Sequence, residues 1–510
     1  MLKKLRVALA LVFWVCITIL FLDLTGAIRL WLGWMAKIQF LPAVLAMNVG
    51  AVVLWVVVTL LVGRIYCSVI CPLGVFQDVM IHIADWVTRK TSKSKLGRYH
   101  FWGPKWSNVL RISVFVLFVI ALITLGGTVT MWLAPYSTYG RMITSLLSPL
   151  VVWGNNELAD MAAAQDSYAF YHIAWAGTDC AMVVIAVVTA IILMACSFFG
   201  GRFYCNTICP VGTCLGFLSR KSLVRVQIDT SKCAKCGLCE RKCKSMAIDA
   251  KSATIDNSKC VDCFNCLDAC HKDAISFGLA KKDVKATQQE AKSEEGTSRR
   301  AFLATAVSLA AAAQLKAEEK TVDGVLGAIE DKKRYKRETE ICPPGAGSWK
   351  NFQQHCTGCQ LCVTACPNEV LRPNNSALLN LQPVMGYENG QCRPECHACS
   401  DVCPVGAILP LGDTHEEKMA RKSSLKIGRA VWIKDNCVPL SDGNACGNCA
   451  RHCPTGAITM IASDANDPKS IKIPSIDEER CIGCGACEHL CPSRPFSAIH
   501  VEGIEVQREI

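Results

Sequence analysis

Of the 33 cysteines in this chain of 510 residues, 24 fall into six runs of four at short spacing. Cys233, Cys236, Cys239 and Cys243 form the first run and Cys260, Cys263, Cys266 and Cys270 the second, both as C-x2-C-x2-C-x3-C. Four more follow: Cys356, Cys359, Cys362, Cys366; Cys392, Cys396, Cys399, Cys403; Cys437, Cys446, Cys449, Cys453; and Cys481, Cys484, Cys487, Cys491. Each of these four is closed by a proline, Pro367, Pro404, Pro454 or Pro492, and two carry a longer first spacer. Three thiolates on one tight loop with a fourth just beyond are the donor set of a 4Fe-4S cubane, which carries single electrons. Six such clusters are expected. In a module of two runs the last cysteine of each ligates the other cluster, so Cys270 is expected to complete the first cluster and Cys243 the second. For the later four runs, adjacent and nested exchanges both satisfy the spacing.

Other uses of cysteine fit less well. Disulfide frameworks belong mostly to short secreted scaffolds, and zinc prefers two separated C-x2-C knuckles around one tetrahedral ion. No C-x-x-C-H occurs for a c-type haem. A b-type haem needs facing histidines inside apolar helices, whereas His82 and His100 fall in a basic loop and His172 where an apolar segment begins. No haem is expected. The formal net charge is +11, but much of the excess flanks apolar runs and no nucleic-acid motif accompanies it, so nucleic-acid binding is not expected.

The elements that must position these cysteines are of two kinds. With 51% hydrophobic residues the chain is more apolar than an ordinary soluble protein. Four apolar runs, about 7–28, 41–62, 109–133 and 173–199, can each cross a ~30 Å hydrocarbon layer as a helix of about 20 residues. Lys3, Lys4 and Arg6 precede the first, and Arg64, Arg89, Lys90, Lys93, Lys95, Arg98 and Lys105 separate the second from the third, which places both segments in the cytoplasm. The third loop carries Arg141 against Glu157, Asp160 and Asp166, and basic residues return after the fourth run. The expected fold is a four-helix membrane bundle (1–222), a two-cluster ferredoxin domain (223–279), a linker (280–340) and a four-cluster ferredoxin domain (341–510). The cluster domains should be of the α+β bacterial-ferredoxin kind.

Within the bundle Gly63-Arg64-Ile65-Tyr66-Cys67-Ser68-Val69-Ile70-Cys71-Pro72-Leu73-Gly74 returns as Gly201-Arg202-Phe203-Tyr204-Cys205-Asn206-Thr207-Ile208-Cys209-Pro210-Val211-Gly212. Two hairpins in one orientation imply a pseudo-two-fold axis along the membrane normal. They would bring Cys67, Cys71, Cys205 and Cys209 onto one face, where they could hold a further iron–sulfur centre, act as redox-active dithiols or be structural. Asp23 and Asp179, near the outer ends of the first and fourth runs, are either proton acceptors for a quinol or carboxylates that reach water. Cys16, Cys180, Cys196, Cys214 and Cys342 read as packing residues.

Residues 280–298 are rich in Lys, Glu and Gln and cannot bury a core. Ser298-Arg299-Arg300-Ala301-Phe302-Leu303 and an uncharged alanine-rich run to Leu315 suggest a twin-arginine export signal. Such a signal suits a domain that crosses the membrane already folded around its clusters. The 15-residue run could be cut at Ala311-Ala312-Ala313 or remain as part of an anchor, a candidate fifth helix.

The four apolar runs, the two Y-C-x3-C-P motifs and the following two-run module resemble the NapH-type membrane quinol dehydrogenase subunit. The twin-arginine stretch, Pro343-Pro344-Gly345-Ala346 and the four later runs resemble the NapG and MauM type of periplasmic ferredoxin. A fusion of the two implies a multi-pass protein of the bacterial inner membrane, with its N-terminus and first ferredoxin domain cytoplasmic and its C-terminal domain periplasmic. It implies transfer of electrons from quinol through the clusters to a periplasmic reductase or cytochrome. The C-x3-C-P motifs also resemble membrane ferredoxins of the CcoG and NosR type, which implies an alternative role in assembling a metalloenzyme. No flavin-attachment S-G-A-T motif or copper domain accompanies them.

Overall fold

The computed structural model describes residues 2–510 other than 24–25, 92–106, 168–169, 174–179, 280–330, 375–380, 465 and 468. The described residues up to Leu279 and from Lys333 to Ile510 form one compact unit. The twin arginines, the 280–298 stretch and the alanine-rich run lie outside the described residues.

Before the first cysteine module come α1 (Leu2–Phe21), α2 (Ala27–Leu32), α3 (Trp34–Lys37), α4 (Phe40–Leu45), α5 (Val49–Val62), α6 (Ile65–Val69) and α7 (Pro72–Thr91). Then follow α8 (Ser107–Leu125), α9 (Gly127–Leu133), α10 (Pro135–Leu146), α11 (Ser148–Ala163), α12 (Cys180–Gly200), a π-helical turn (Tyr204–Ile208) and α13 (Pro210–Ser219). The expected apolar runs are cut where a residue offers the backbone another partner. Asp23 accepts hydrogen bonds from the backbone N–H of Gly26 (2.9 Å) and Arg29 (3.1 Å), so the first run stops at Phe21 and α2 begins. Asn48 caps α5 through the Ala51 N–H (3.2 Å) and divides 41–62. Gly126, at φ 60°, divides 109–133. Among the described residues two helices, α1 and α12, are long and apolar enough to cross a membrane, while Val49–Val62 and Asn108–Thr124 are apolar but shorter. Of the basic residues expected in the loop after Arg64, Arg89 and Lys90 belong to α7, which has Pro72 in its first turn, whereas Lys93, Lys95, Arg98 and Lys105 lie outside the described residues.

The repeat explains itself residue by residue. Gly63 (φ 87°) and Gly201 (φ 58°) turn the chain at the ends of α5 and α12 in the left-handed region. The arginines that follow are fully buried and cross over. Arg64 donates to the Asn206 side chain (2.9 Å) and the Cys205 carbonyl (3.4 Å), and Arg202 donates to the Cys67 carbonyl (2.6 Å). A Cβ at Gly74 would collide with the Cys67 carbonyl, and one at Gly212 with the Cys205 carbonyl. Asp78 on α7 takes Arg202 (2.8 Å), Arg6 of α1 (3.0 Å) and Lys244 of the first cysteine module around one buried carboxylate. Burial alone would raise its pKa, but the three cations outweigh that and hold it well below the usual carboxylate range.

The first cysteine module pairs β1 (Val224–Ile228) antiparallel with β4 (Ile275–Leu279) around the hairpin β2 (Ile248–Asp249) and β3 (Thr254–Ile255). Between the third and fourth runs the described residues form an inner pair, β5 (Leu371–Pro373) with β6 (Pro383–Met385), closed by backbone bonds from Met385 N–H to Ile341 (3.0 Å) and Leu409 N–H to Gly345 (2.9 Å). The last two runs restore the full plan: β7 (Leu425–Trp432) pairs with β10 (Ile499–Glu509) around β8 (Ile458–Ala462) and β9 (Lys472–Ile476).

These modules cap opposite ends of the same helices. Lys3 at the start of α1 pairs with Asp268 (2.8 Å), and Arg111 at the start of α8 donates to Ser258 Oγ (3.1 Å), both in the first module. At the far end of α8, Gly126 and Gly127 lie against Gln354 and Cys356, and Arg141 of α10 donates to the Gly358 carbonyl (3.4 Å). The 20 residues of α1 span about 30 Å. Replacing Asp78 with Asn should leave three buried cations short of their counter-charge and cost about 3–5 kcal/mol, read as a lowered thermal midpoint of the purified protein at neutral pH. Because the folded pKa is depressed, this contribution is present at neutral pH and fades only as pH falls through that low value.

Candidate iron–sulfur sites

Four of the six cysteine loops turn on two left-handed residues, one between the first and second cysteines (Lys235, Asp262, Gly358 or Gly483) and one between the second and third. Gly237, Phe264, Gln360 and Gly485 occupy the latter position with φ of 75°, 60°, 66° and 79°, each opening a short helix that carries the third cysteine toward the fourth. Phe264 and Gln360 pay the Cβ penalty that glycine avoids, and nothing in their identity signals it.

Every set of four combines three cysteines of one run with the last cysteine of its neighbour. Cys233, Cys236 and Cys239 line one cavity with Cys270, while Cys260, Cys263 and Cys266 gather about Cys243. In the C-terminal domain Cys356, Cys359 and Cys362 meet Cys403, and Cys392, Cys396 and Cys399 meet Cys366. Cys437, Cys446 and Cys449 share a cavity with Cys491, and Cys481, Cys484 and Cys487 share one with Cys453. The exchange therefore runs between adjacent runs; a nested exchange has no geometric counterpart.

The donor chemistry suits a cubane. Burial pushes the thiol pKa of Cys449 up to about 11 and of Cys484 up to about 12, so these groups are poor free nucleophiles, whereas a coordinating metal deprotonates a thiol outright. Zinc needs its sulfurs about 2.3 Å from one point. Among the described residues no three His, Cys, Asp or Glu side chains gather tightly enough for one ion. Lys422 Nζ lies 3.1 Å from Cys392 Sγ; burial would lower its pKa, but Cys392 and its neighbours Cys399 and Cys396 outweigh that and raise it. It is a fixed cation against a thiolate set.

Cys67, Cys71, Cys205 and Cys209 are all buried and mutually close, inside the crossed-arginine frame. Arg64 Nη2 lies 3.9 Å from Cys67 Sγ. Gln77 Oε1 lies 3.1 Å from Cys205 Sγ while its Nε2 is buried without a partner, and a half-turn of that amide would give a deprotonated Cys205 an N–H donor. One continuous core contains Cys263 of the first module, these four cysteines, Tyr66, Tyr204, Tyr136 and Cys359 of the C-terminal domain.

Asp23 caps α2 and pairs with Arg29 (3.1 Å), a structural task, although it also lines a large cavity. Asp179 and His100 lie outside the described residues. His82 is in α7, its Nδ1 against the Asp78 carbonyl (2.9 Å), and exposed His172 pairs with Asp160 (2.8 Å). Cys342 is buried, with Gln507 Nε2 3.4 Å from its sulfur, whereas Cys16, Cys196 and Cys214 are half-buried and Cys180 is exposed.

The model of the 4Fe-4S dicluster domain matches residues 355–423 and 444–494, and that of a 4Fe-4S binding domain matches 44–94 and 182–228, the segments that carry the two C-x3-C-P motifs. The matched segments are thus similar to 4Fe-4S binding domains of ferredoxin type. Among particular proteins the chain is similar to the methylamine utilization ferredoxin-type protein MauM of Methylobacillus flagellatus, 34% identical over 30% of this chain and 64% of that protein. It is also similar to the ferredoxin-type proteins NapF and NapG of Escherichia coli. These are 28% identical over 31% of this chain and 84% of NapF, and 30% identical over 29% of this chain and 64% of NapG. The chain thus spans a little under two thirds of the MauM and NapG proteins. No solved structure matches it.

Exchanging Lys422 for Met removes a positive charge and a hydrogen bond from the Cys366/Cys392/Cys396/Cys399 set. The cluster potential of that set should fall by on the order of 60 mV, measured by redox titration against the unaltered chain.

Proposed function

We propose that this chain conducts electrons from quinol in the bacterial inner membrane to a redox partner at the outer face, a periplasmic reductase or cytochrome. The six sets of four cysteines would hold six 4Fe-4S clusters, and Cys67, Cys71, Cys205 and Cys209 a seventh. A cubane on each set supplies one-electron storage; the protein supplies order, spacing and surrounding charge. The observation that carries the reading is the unbroken buried core from Cys263 through the four repeat cysteines to Cys359. A helix length of about 30 Å separates the two ferredoxin modules, too far for direct exchange, and the repeat cysteines divide that interval. Tyr204 lies beside Cys205 and Cys209 on one side and Arg141 on the other, and Arg141 stands beside Cys356 and Cys359.

Apolar α1 and α12, and the shorter α5 and α8, support a membrane bundle. The placement of the ferredoxin modules at its opposite ends supports a cytoplasmic first module and an exported C-terminal domain. The NapH-like reading of residues 1–222 rests on the repeated motif, and export on Arg299 and Arg300.

Substituting serine at Cys67, Cys71, Cys205 and Cys209 together should lower the iron content of the anaerobically purified protein by about four per chain. It should also slow electron exchange between the two ferredoxin modules after one is selectively reduced. Unchanged iron would remove the seventh cluster from the account. The functional reading itself is tested by adding quinol to the purified protein in liposomes: cluster reduction seen by paramagnetic resonance is expected, and its absence contradicts quinol as donor.

A further inference from the structure

The first cysteine module meets the helices through Lys244, Ser258 and Asp268, residues that flank Cys243, Cys260 and Cys266, and Cys263 of the same set belongs to the core that leads to the repeat cysteines. The module's other set, Cys233/Cys236/Cys239/Cys270, continues the line, with Cys239 beside Cys266. Of the 24 cysteines in the six runs, Cys236 alone is exposed. The charge around it is lopsided. Lys232, Lys235, Arg241, Lys242 and Lys272 each stand within three residues of a cysteine of this set; all five are exposed, and among the described residues none makes an ion pair. Lys235 and Lys272 line the same cavity as the four cysteines. Against them stand Glu240, Asp268 and Asp273, but Lys3 takes Asp268 (2.8 Å) and Glu240 accepts the Ala250 N–H (3.2 Å). Lys235 adopts φ 51° at a position where the matching loops of the C-terminal domain have Gly358 and Gly483. A side chain in that left-handed conformation costs roughly 1–2 kcal/mol, so the turn itself does not call for lysine.

A route from the membrane to the outer face has no use for this module unless electrons also pass at its own far end. We propose that the face around Cys236 docks an acidic, soluble protein that carries single electrons and exchanges them with the cluster on Cys233, Cys236, Cys239 and Cys270. The inference goes beyond quinol as donor and rests only on a cubane at that set. One electron passes from the reduced carrier to the oxidised cubane, and no covalent bond forms or breaks. From there the sequence Cys239, Cys266, Cys263, repeat cysteines, Cys359 puts the electron on the core that joins the two modules. Electron tunnelling falls steeply with distance, so the carrier must approach where sulfur reaches the surface. Unpaired cations around that point steer an acidic protein to it, and the small, brief contacts of redox partners need little more. Anionic lipid is the other acidic surface that lysines meet, but the residues that dock the module on the helices flank its other set.

The probe is reduced flavodoxin, an acidic one-electron flavoprotein, mixed with the full-length, cluster-loaded protein in neutral-lipid nanodiscs. Carbodiimide coupling, which joins a carboxylate directly to a lysine amine, is expected to attach it at Lys232, Lys235, Lys242 or Lys272 of the wild type. Reoxidation of the flavin, followed by stopped flow, should slow at least about tenfold between about 20 mM and about 0.5 M salt, where charges are screened within a few ångströms. The triple variant Lys235→Glu, Lys242→Glu, Lys272→Glu should be about tenfold slower than wild type at low salt and equal to it at high salt, with iron content unchanged. Coupling elsewhere, or equal rates for variant and wild type at low salt, overturns the docking face. So does a variant whose one defect is weaker retention by anionic vesicles, which would assign these lysines to lipid headgroups. A wild-type iron count too low for six clusters would overturn the cluster reading itself, and this inference with it. Because the coupling map is made on the wild type, loss of folding in the variant does not shelter the proposal.

Discussion

The crossed hydrogen bonds of Arg64 and Arg202 are the constraint from which the rest of the helical region follows. Each guanidinium leaves its own repeat and reaches the backbone carbonyl beside the first cysteine of the other, so neither C-x3-C-P loop can take its position without its partner. Two buried cations need compensation, and they find it from different sources. Arg202 has the Asp78 carboxylate, while Arg64 is held by the Asn206 side chain and the Ser258 carbonyl of the first ferredoxin module (both 2.9 Å). The same frame therefore fixes the four repeat cysteines, anchors α1 through Arg6 and docks the first module through Lys244 and Ser258. A buried ion cluster is weak as a source of stability but strong in specifying one arrangement, and here the specified arrangement is a four-thiol pocket.

Much of this was legible in the sequence. The spacing of the cysteines announced the cubane chemistry, and the repeat of Gly-Arg-x-Tyr-Cys announced that four cysteines would converge. What the spacing did not carry was the partner of each fourth cysteine in the C-terminal domain, because Cys366 and Cys403 sit equally well in several exchanges until the hairpins β5/β6 and β8/β9 bind adjacent runs together. Helix ends were missed for a related reason. Asp23, Asn48 and Gly126 interrupt apolar stretches with local hydrogen bonds or a left-handed turn, and a hydrophobic window averages over such residues.

The placement of charge follows a consistent logic across the molecule. Fixed cations stand against sulfur at Arg64 beside Cys67 and at Lys422 beside Cys392, where reduction would add negative charge. Arg141, between Tyr204 and Cys359, links the repeat pocket to the C-terminal domain by the same means. Such cations favour the reduced form of whatever the sulfurs hold; Arg64 and Arg141 stand beside cysteines of the core that joins the two modules, and Lys422 beside one of the C-terminal core.

The account turns on a seventh metal centre in the repeat pocket. The most direct measurement is an electron cryomicroscopy map of the anaerobically purified full-length protein. The account predicts seven compact densities of cubane size, one of them enclosed by Cys67, Cys71, Cys205 and Cys209. Six densities, with those four cysteines joined as disulfides or packed as free thiols, would contradict it.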